Sequence, residues 1–438
     1  MGEWKMAPYS DFRRSISQSM LTLIAAAFVV ATLLDAPLVE ASGETPVPVD
    51  ALVTEAMHSN PEIAAARSHW QGSSKVPRQV STLDDPEVSL QEFTVGSPAP
   101  ASGYETSDFY YTGFGVSQDV PGPGKLRLRA RRAEKDADYA RAVFESAERR
   151  VAEKVRETGF NLFFLDRVRE LLERTRGDLQ VIAHTAEQQY RTGMGQQQDV
   201  LKAQLAATSI LKDSEMNRDD IAAAEASLKA LIGREPDTGD IAIADVTPTP
   251  FKLEETQLGD AAEAGSADLE MARAMAAGSK DALDIARHDY WPDFTVGYQY
   301  DKTGPGFRDY YMLTLGAKIP LYFWRKQTPA VEQAAAEKAS AESQLHATRL
   351  ETLSDLRSNA VAIRTQDRII TLYSDGLIPQ GEATFRSADA AYRTGKVDFQ
   401  TLLSAVIDLL NLREGYYRAI ADHEIAVARV KQIIGEQS

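Results

Sequence analysis

The chain has 438 residues, a formal net charge of −16, and 43% hydrophobic and 26% charged residues. An acidic chain without a concentrated basic stripe is not suited to bind nucleic acid. The absence of cysteine excludes disulfides, thiolate metal sites and a lipid anchor on cysteine. After the N-terminal segment, no run is apolar enough, for long enough, to cross a bilayer as a helix, so any membrane contact is predicted to be made by strands.

The N-terminal segment has the pattern of a secretory signal peptide. Arg13 and Arg14 precede an apolar run from Met20 to Leu34, and small residues follow with a cleavage point after Ala41. The alternative is an N-terminal membrane anchor, for which the apolar run is short. We interpret residues 1–41 as a signal peptide, and both interpretations predict that the remaining chain is exported.

Residues 42–257 are predicted to form a first repeat. It begins with two short helices, the second restarting at Asn60 with Pro61 in its first turn. A strand pair follows over residues 87–120. Its hairpin tip, at residues 96–103, is rich in glycine, serine and proline, which do not continue a strand comfortably.

A long helical hairpin is predicted over residues 125–233. Apolar or small residues recur at steps of four and three along its first arm, which is the spacing of a coiled-coil seam. These residues are Leu126, Ala130, Ala133, Ala137, Ala140, Phe144, Ala147 and Val151. The chain reverses at residues 190–193, returns to Gly233, and continues into a proline-containing linker at residues 234–257. An arm that rises about 1.5 Å per residue over this length cannot fold back into a globule.

Residues 258–438 repeat the same order of elements. A helix is predicted over residues 258–290, a strand pair over 293–319, and a helical hairpin over 327–435 that is interrupted near Pro379. Tyr-Arg-Thr-Gly occurs at both reversals, and Leu-Ile-Gly and Ile-Ile-Gly end the two hairpins at the same spacing. The chain is therefore predicted to be a tandem duplication.

The second strand pair alternates between apolar residues and polar or small ones. Phe294, Val296 and Tyr298 lie on one face of the first strand, and Leu313 and Leu315 on one face of the second. Strands of about nine to eleven residues cross a bilayer when tilted. Aromatic residues stand at both ends, with Trp291, Tyr322, Phe323 and Trp324 at one level and Tyr310 and Tyr311 at the other. The alternative is a pair of hairpins lying on a soluble core.

These elements predict a mainly α protein with a membrane β portion and an internal duplication. Four strands from one chain cannot close a barrel, because an open edge in lipid leaves backbone groups unsatisfied. The alanine-rich seams also need neighbouring copies to cover them. The sequence therefore predicts an oligomeric tube that is β-structured in the outer membrane and helical in the compartment beneath.

The duplicated order of elements resembles the TolC-like outer membrane efflux proteins over Asp50 to Gly435. The motifs that carry the resemblance are Gln118-Asp119-Val120-Pro121-Gly122-Pro123-Gly124-Lys125, the two Tyr-Arg-Thr-Gly turns, Asp199-Val200-Leu201, and the two hairpin endings. The resemblance implies a homotrimer whose twelve-stranded β-barrel, with four strands per chain, continues into a long periplasmic α-helical coiled-coil barrel. It implies a passive exit duct, supplied by an inner-membrane pump through a periplasmic adaptor protein. It favours the heavy-metal efflux branch, while the sequence leaves metal ions, drugs and proteins open as cargo.

The resemblance also assigns roles to the two reversals, which would be the turns where the adaptor docks. These residues are Tyr190, Arg191, Thr192, Gly193, Tyr392, Arg393, Thr394 and Gly395. The alternative is plain turns without a partner. Asp199 occupies a position where the family places acidic constriction residues, and three copies would form a carboxylate ring that favours cations. An aspartate near a helix start is equally a cap or a dipole partner. In the second repeat the equivalent position is Thr401, with the acid at Asp398 instead, so both are candidates.

The sequence predicts no catalytic, metal or cofactor chemistry. The six histidines include no pair at the i, i+4 spacing of a helical metal site. Nothing resembles a nucleophile elbow or a pair of catalytic acids, so we do not expect an enzyme. Two other functions stay open: a periplasmic coiled-coil adaptor, which usually has one hairpin, and an exported structural coiled coil without a pore.

Overall fold

The computed structural model describes residues 46–94, 109–251, 255–304 and 306–436. The predicted signal peptide and the predicted tip of the first strand hairpin lie outside the described residues. No helix in the described ranges is both long enough and apolar enough to cross a membrane.

The first repeat contains three short helices, a strand pair and a long helical hairpin. The elements are α1 (Val49–Ser59), α2 (Pro61–Ser73), α3 (Val76–Val80), β1 (Glu87–Phe93), β2 (Tyr111–Val120), α4 (Lys125–Arg191) and α5 (Gln197–Leu231). Asn60 caps α2, because its Oδ1 accepts hydrogen bonds from the backbone N–H of Glu62 and Ile63 at 2.8 and 3.2 Å. The prediction of two short helices missed α3, whose start is favoured by a proline in its first turn.

The second repeat follows the same order. The elements are α6 (Glu255–Gly265), α7 (Ala267–His288), β3 (Asp293–Thr303), β4 (Tyr310–Lys318), α8 (Gln327–Leu372), a π-helical turn (Tyr373–Leu377), α9 (Ile378–Arg393) and α10 (Phe399–Ile434). The single helix predicted over residues 258–290 is wrong, because the chain breaks before Ala267 and Ser266 Oγ caps α7 at Leu269 N. The interruption predicted near Pro379 is the π-helical turn just before it. A proline lacks the N–H that would continue the helical hydrogen-bond ladder.

The predicted seam of α4 is only partly covered within one chain. Ala133, Ala140, Ala147 and Val151 are buried. The alternating members Leu126, Ala130, Ala137 and Phe144 are half-buried. One side of the seam therefore packs inside the chain, and the other keeps apolar surface that a neighbouring helix could cover.

The two hairpin endings join helices end to end. Gly233, with φ at 73°, and Gly435, with φ at 76°, adopt the left-handed conformation after α5 and α10. At the first joint, Asn60 Nδ2 donates to Leu231 O at 2.8 Å, so the end of α5 abuts the start of α2. At the second joint, a Cβ on Gly265 would collide with Ile434 O, so α10 ends against the break between α6 and α7. Each return helix thus ends in contact with one end of a shorter helix.

We expect Gly233→Ala to destabilise the folded chain. The added Cβ would lie 2.7 Å from Ser59 O, and the backbone φ is unfavourable for alanine. The expected loss in the free energy of unfolding is about 1–3 kcal/mol, measured by denaturant titration in detergent. Gly177→Ala is the control, because Gly177 is helical with nothing within 4 Å of an added Cβ. Gly177→Ala should stabilise the chain by about 0.5–1 kcal/mol. Equal changes in the unfolding free energy of the two variants would contradict a close contact at the Gly233 joint.

The four strands form one antiparallel sheet in the order β1-β2-β3-β4. Val88, Val116, Tyr298 and Leu313 lie in one register row on one face, and all four are exposed. The next row on the opposite face contains Ser89, Gly115, Gln299 and Met312. The predicted separation of an apolar face from a mainly polar or small one therefore holds across the whole sheet.

Candidate functional site

The two helix reversals have the same backbone construction. After α4, Gly193 has φ at 76°, and after α9, Gly395 has φ at 71°. A Cβ on either glycine would meet nothing within 4 Å, so the positive φ alone requires glycine there. Thr192 Oγ1 donates to Gln188 O and Gln189 O, both at 3.1 Å, and satisfies carbonyls at the helix end. Thr394 Oγ1 makes the equivalent bonds in the second repeat.

The arginines of the two turns are also equivalent. Arg191 pairs with Glu187 at 2.7 Å, and Arg393 pairs with Asp389 at 3.0 Å, each one helical turn back. All four side chains are more than a quarter exposed. These pairs contribute little stability and leave both guanidinium groups accessible to a partner.

The two tyrosines differ, which the repeated motif did not predict. Tyr190 is 47% exposed, whereas Tyr392 is 4% exposed and packs against Phe399 with ring centroids 5.7 Å apart. Gln189 Nε2 donates to Tyr392 O at 3.2 Å and connects the first reversal to the second. The two turns therefore form one structural unit in which Tyr392 is internal and Tyr190 is presented outward.

Asp199 lies in the first turn of α5, half-exposed, near Tyr392 of the other repeat. Its carboxylate makes no hydrogen bond or ion pair within the described part of the chain. Burial raises the pKa of the Tyr392 phenol, and the negative charge of Asp199 raises it further. The Tyr392 hydroxyl is buried and has no hydrogen-bond partner among the described residues. The sequence did not predict that these two side chains lie near each other, because the two residues are far apart in the chain.

Asp398 and Thr401 form a helix cap. Asp398 Oδ1 accepts hydrogen bonds from Thr401 N at 2.9 Å and from Thr401 Oγ1 at 2.6 Å at the start of α10. These two bonds lower the pKa of the Asp398 carboxyl. The capping alternative considered for Asp199 is therefore found at Asp398. Asp199 itself keeps its carboxylate available.

A second group of polar residues, the corner clasp, joins the sheet to the helices. Lys125, only 4% exposed, donates from Nζ to Asp293 Oδ1 at 2.9 Å and to Trp291 O at 3.1 Å. Asp289 Oδ1 is 3.4 Å from the same ammonium. Gly122 N donates to Asp293 Oδ1 at 2.7 Å, and a Cβ on Gly122 would lie 2.8 Å from a backbone oxygen. The Pro-Gly-Pro-Gly-Lys motif of the first repeat is thus fixed to the start of β3 in the second.

Aromatic side chains mark both ends of the sheet. Tyr290 and Phe323 lie beside the helices, with ring centroids 6.4 Å apart, and Trp291 nearby is 61% exposed. At the far end, the rings of Tyr111 and Tyr310 are 5.7 Å apart. The exposed apolar face therefore lies between two aromatic levels, as in proteins whose strands cross a membrane.

The family comparison decides what this architecture is. A family model described as outer membrane efflux protein matches residues 52–234 and 258–436. The chain belongs to the outer membrane efflux protein family. The two matched ranges coincide with the two halves of the duplication, so the predicted family and the predicted fold class are both confirmed. An outer membrane efflux protein serves as an efflux channel, and the four-stranded sheet and long hairpins are its parts.

Solved structures of outer membrane proteins share this fold. VceC from Vibrio cholerae is 18% identical with a TM-score of 0.75, and the match covers 88% of this chain and 96% of that chain. The Campylobacter jejuni CmeC channel is 14% identical with a TM-score of 0.76, covering 88% and 85%. The open state of the Neisseria gonorrhoeae MtrE channel is 13% identical with a TM-score of 0.71, covering 88% of each chain. No curated protein sequence gave a significant match.

The described residues contain no cluster of three or more histidine, aspartate or glutamate side chains arranged to hold a metal ion.

Proposed function

We propose that three copies of this chain form the outer membrane duct of a tripartite efflux system. In this proposal the sheets close into a twelve-stranded barrel, and the hairpins form a helical tube in the periplasm. Cargo enters from an inner-membrane pump through a periplasmic adaptor that docks at the two reversals. The duct is passive, and the pump supplies the energy for transport.

The exposed apolar face of the sheet carries the proposal. Leu90 is 75% exposed and Leu315 is 73% exposed on this face, and β1 and β4 each pair with only one strand among the described residues. Water would leave the apolar face unfavourably hydrated, and lipid would leave the two edges without hydrogen bonds. A closed barrel of several copies in a membrane removes both costs.

The two reversals support adaptor docking. They present Arg191, Arg393 and Tyr190 at one exposed end of the helical hairpins, where an aromatic ring and two guanidinium groups offer both packing and bidentate hydrogen bonds. Met194, 78% exposed beside them, adds an adaptable apolar contact. This combination fits a protein partner with carboxylates around an apolar patch.

Asp199 supports a cation-selective constriction. Its carboxylate has no partner within the described chain, and threefold symmetry would place three such carboxylates around one axis. A ring of carboxylates favours cations and rejects anions. We therefore propose cations, metal ions included, as the preferred cargo.

Ion conduction by the purified protein in a planar bilayer tests the function. The wild-type protein is expected to form discrete conducting channels with a greater permeability for potassium than for chloride. Asp199→Asn is expected to shift the reversal potential toward equal permeability, because the three carboxylates of the ring are neutralised. Asp219→Asn is the matched control, an exposed aspartate further along the same helix.

The outcomes separate the two parts of the proposal. A wild-type protein that never conducts would contradict the channel. Normal conduction with an unchanged reversal potential in Asp199→Asn would contradict the carboxylate ring alone.

A further inference from the structure

The two free edges of the sheet carry opposite charges at the same end. Asp84 and Asp85 precede β1, and Glu87 is its first residue. Lys318 is the last residue of β4, and Arg325 and Lys326 follow it. All six side chains are exposed. None of them makes an ion pair with another residue of the described chain. The corner clasp differs in this respect, because its cation Lys125 is paired with Asp293.

The corner clasp inside the chain shows what such charges do at a strand junction. The corner clasp lies where β2 meets β3. Its cation, Lys125, follows β2, and its carboxylates, Asp289 and Asp293, lie just before β3 and at its start. The duplication makes β4 the equivalent of β2, and β1 the equivalent of β3. A junction between β4 and β1 would therefore again have cations on the first strand and carboxylates on the second.

Strand direction brings the two groups together. β2 leads into α4 and β4 leads toward α8, so Lys318 lies at the helix end of the sheet. β1 starts at that same end, where Glu87 pairs with Ser117 near the end of β2. An antiparallel junction of β4 with β1 thus places the cations beside the carboxylates. It also pairs the two edges that lipid cannot satisfy.

In the trimeric barrel proposed above, the β4 edge of one copy pairs with the β1 edge of the next. We propose that the six charged residues form an ionic cluster across that junction. We name this cluster the edge clasp. It rests on the trimeric channel proposed above and specifies which residues hold neighbouring copies together.

Side-chain alternation restricts the register of this junction. Glu87 shares its face with Ser89, and Lys318 shares its face with Gly316, both on the polar side of the sheet. A shift by one residue would place the apolar side chains of one strand on the same face as the polar side chains of the other. Only registers that differ by two residues therefore keep the apolar and polar faces continuous across the junction. One of these sets Glu87 directly opposite Lys318, with Arg325 and Lys326 free to reach the two aspartates.

Charge reversal tests the edge clasp in the full chain, purified in detergent. One variant carries Asp84→Lys, Asp85→Lys and Glu87→Lys, a second carries Lys318→Glu, Arg325→Glu and Lys326→Glu, and a third combines all six. The trimer fraction is measured by native mass spectrometry at low and high salt. Each half-reversal is expected to lower the trimer fraction by more than half at low salt, with a smaller loss at high salt. The six-fold variant is expected to recover the wild-type fraction.

The matched control reverses three exposed acids in the linker between the repeats, Glu235→Lys, Asp237→Lys and Asp240→Lys. It is expected to assemble like the wild type. Far-ultraviolet circular dichroism establishes that each variant folds. A six-fold variant that stays dissociated, or half-reversals that assemble normally, would overturn the edge clasp. A wild-type protein that is itself monomeric would contradict the proposed channel instead.

Cross-linking gives a second test that does not depend on charge. The chain has no cysteine of its own, and directly opposed residues in antiparallel strands have Cα atoms about 4.5–5.5 Å apart, which a disulfide can bridge. Glu87→Cys combined with Lys318→Cys is expected to give covalently linked trimers on oxidation. Glu87→Cys with Tyr310→Cys, at the far end of β4, is expected to stay unlinked. Equal linking of both pairs, or of neither, would contradict the register that sets Glu87 opposite Lys318.

Discussion

Leu313→Lys is expected to prevent stable insertion of the protein into the outer membrane. Leu313 is 66% exposed near the middle of β4, on the apolar face that we propose faces lipid. Placing lysine at such a position of a membrane strand costs about 2–4 kcal/mol near the bilayer midplane, and the substitution is repeated in every copy. The measurement is the fraction of protein that remains in the membrane after carbonate extraction.

The adjacent residue provides the control. Thr314 is exposed on the opposite, polar face of the same strand, so Thr314→Lys adds the same charge where water is present. We expect it to insert normally and to change only ion conduction. Loss of insertion in both variants, or in neither, would show that the two faces of the sheet do not differ in their surroundings.

Lys125→Met is expected to loosen the junction between sheet and helices. The Lys125 ammonium is buried and contacts Asp293, Asp289 and a backbone carbonyl. Methionine keeps the length of the side chain and removes its charge. Hydrogen bonds to charged groups contribute about 1.5–3 kcal/mol, so the free energy of unfolding should fall by about that amount, as measured by urea titration in detergent.

Lys135→Met is the comparison for this effect. Lys135 pairs with Asp138 at 2.8 Å, but both side chains are exposed on one face of α4. A helical surface pair of this type contributes about 0.2–0.5 kcal/mol, so little change is expected. If the two variants lost equal stability, the corner clasp would be no stronger than a surface ion pair.

The fold class and the family were predictable from the sequence because their signals repeat. Apolar alternation in β3 and β4 gave the sheet its two faces, and the Tyr-Arg-Thr-Gly turns fixed where the long hairpins reverse. Gly193 and Gly395 have positive φ, a local backbone conformation that the presence of glycine in the turn already indicates. The domain bounds and the roles of the turns stay predictions.

Tertiary contacts were not predictable in the same way. Identical turn motifs give an exposed Tyr190 and a buried Tyr392, because burial depends on which helix packs against each turn. Asp398 was grouped with Asp199 as an acid near a reversal, yet its carboxylate caps a helix through Thr401. The sequence gives the residue types, but it does not show which residues each side chain packs against or hydrogen-bonds.

The break between α6 and α7 shows the same limit. Alanine-rich sequence favours a continuous helix through this region, since alanine has the highest helix propensity. Gly265 and Ser266 interrupt it where Ile434, distant in the chain, approaches. The break therefore combines a local signal, a glycine followed by a capping serine, with a contact made by the end of the last helix.

The end-to-end joints at Gly233 and Gly435 have a mechanical consequence. A continuous helix resists bending through its own hydrogen-bond ladder, whereas each joint relies on a glycine and a few side-chain contacts with backbone. Both joints lie between the reversals and the sheet. Bending the chain at Gly233 or Gly435 therefore breaks fewer hydrogen bonds of the return helices than bending it within either helix.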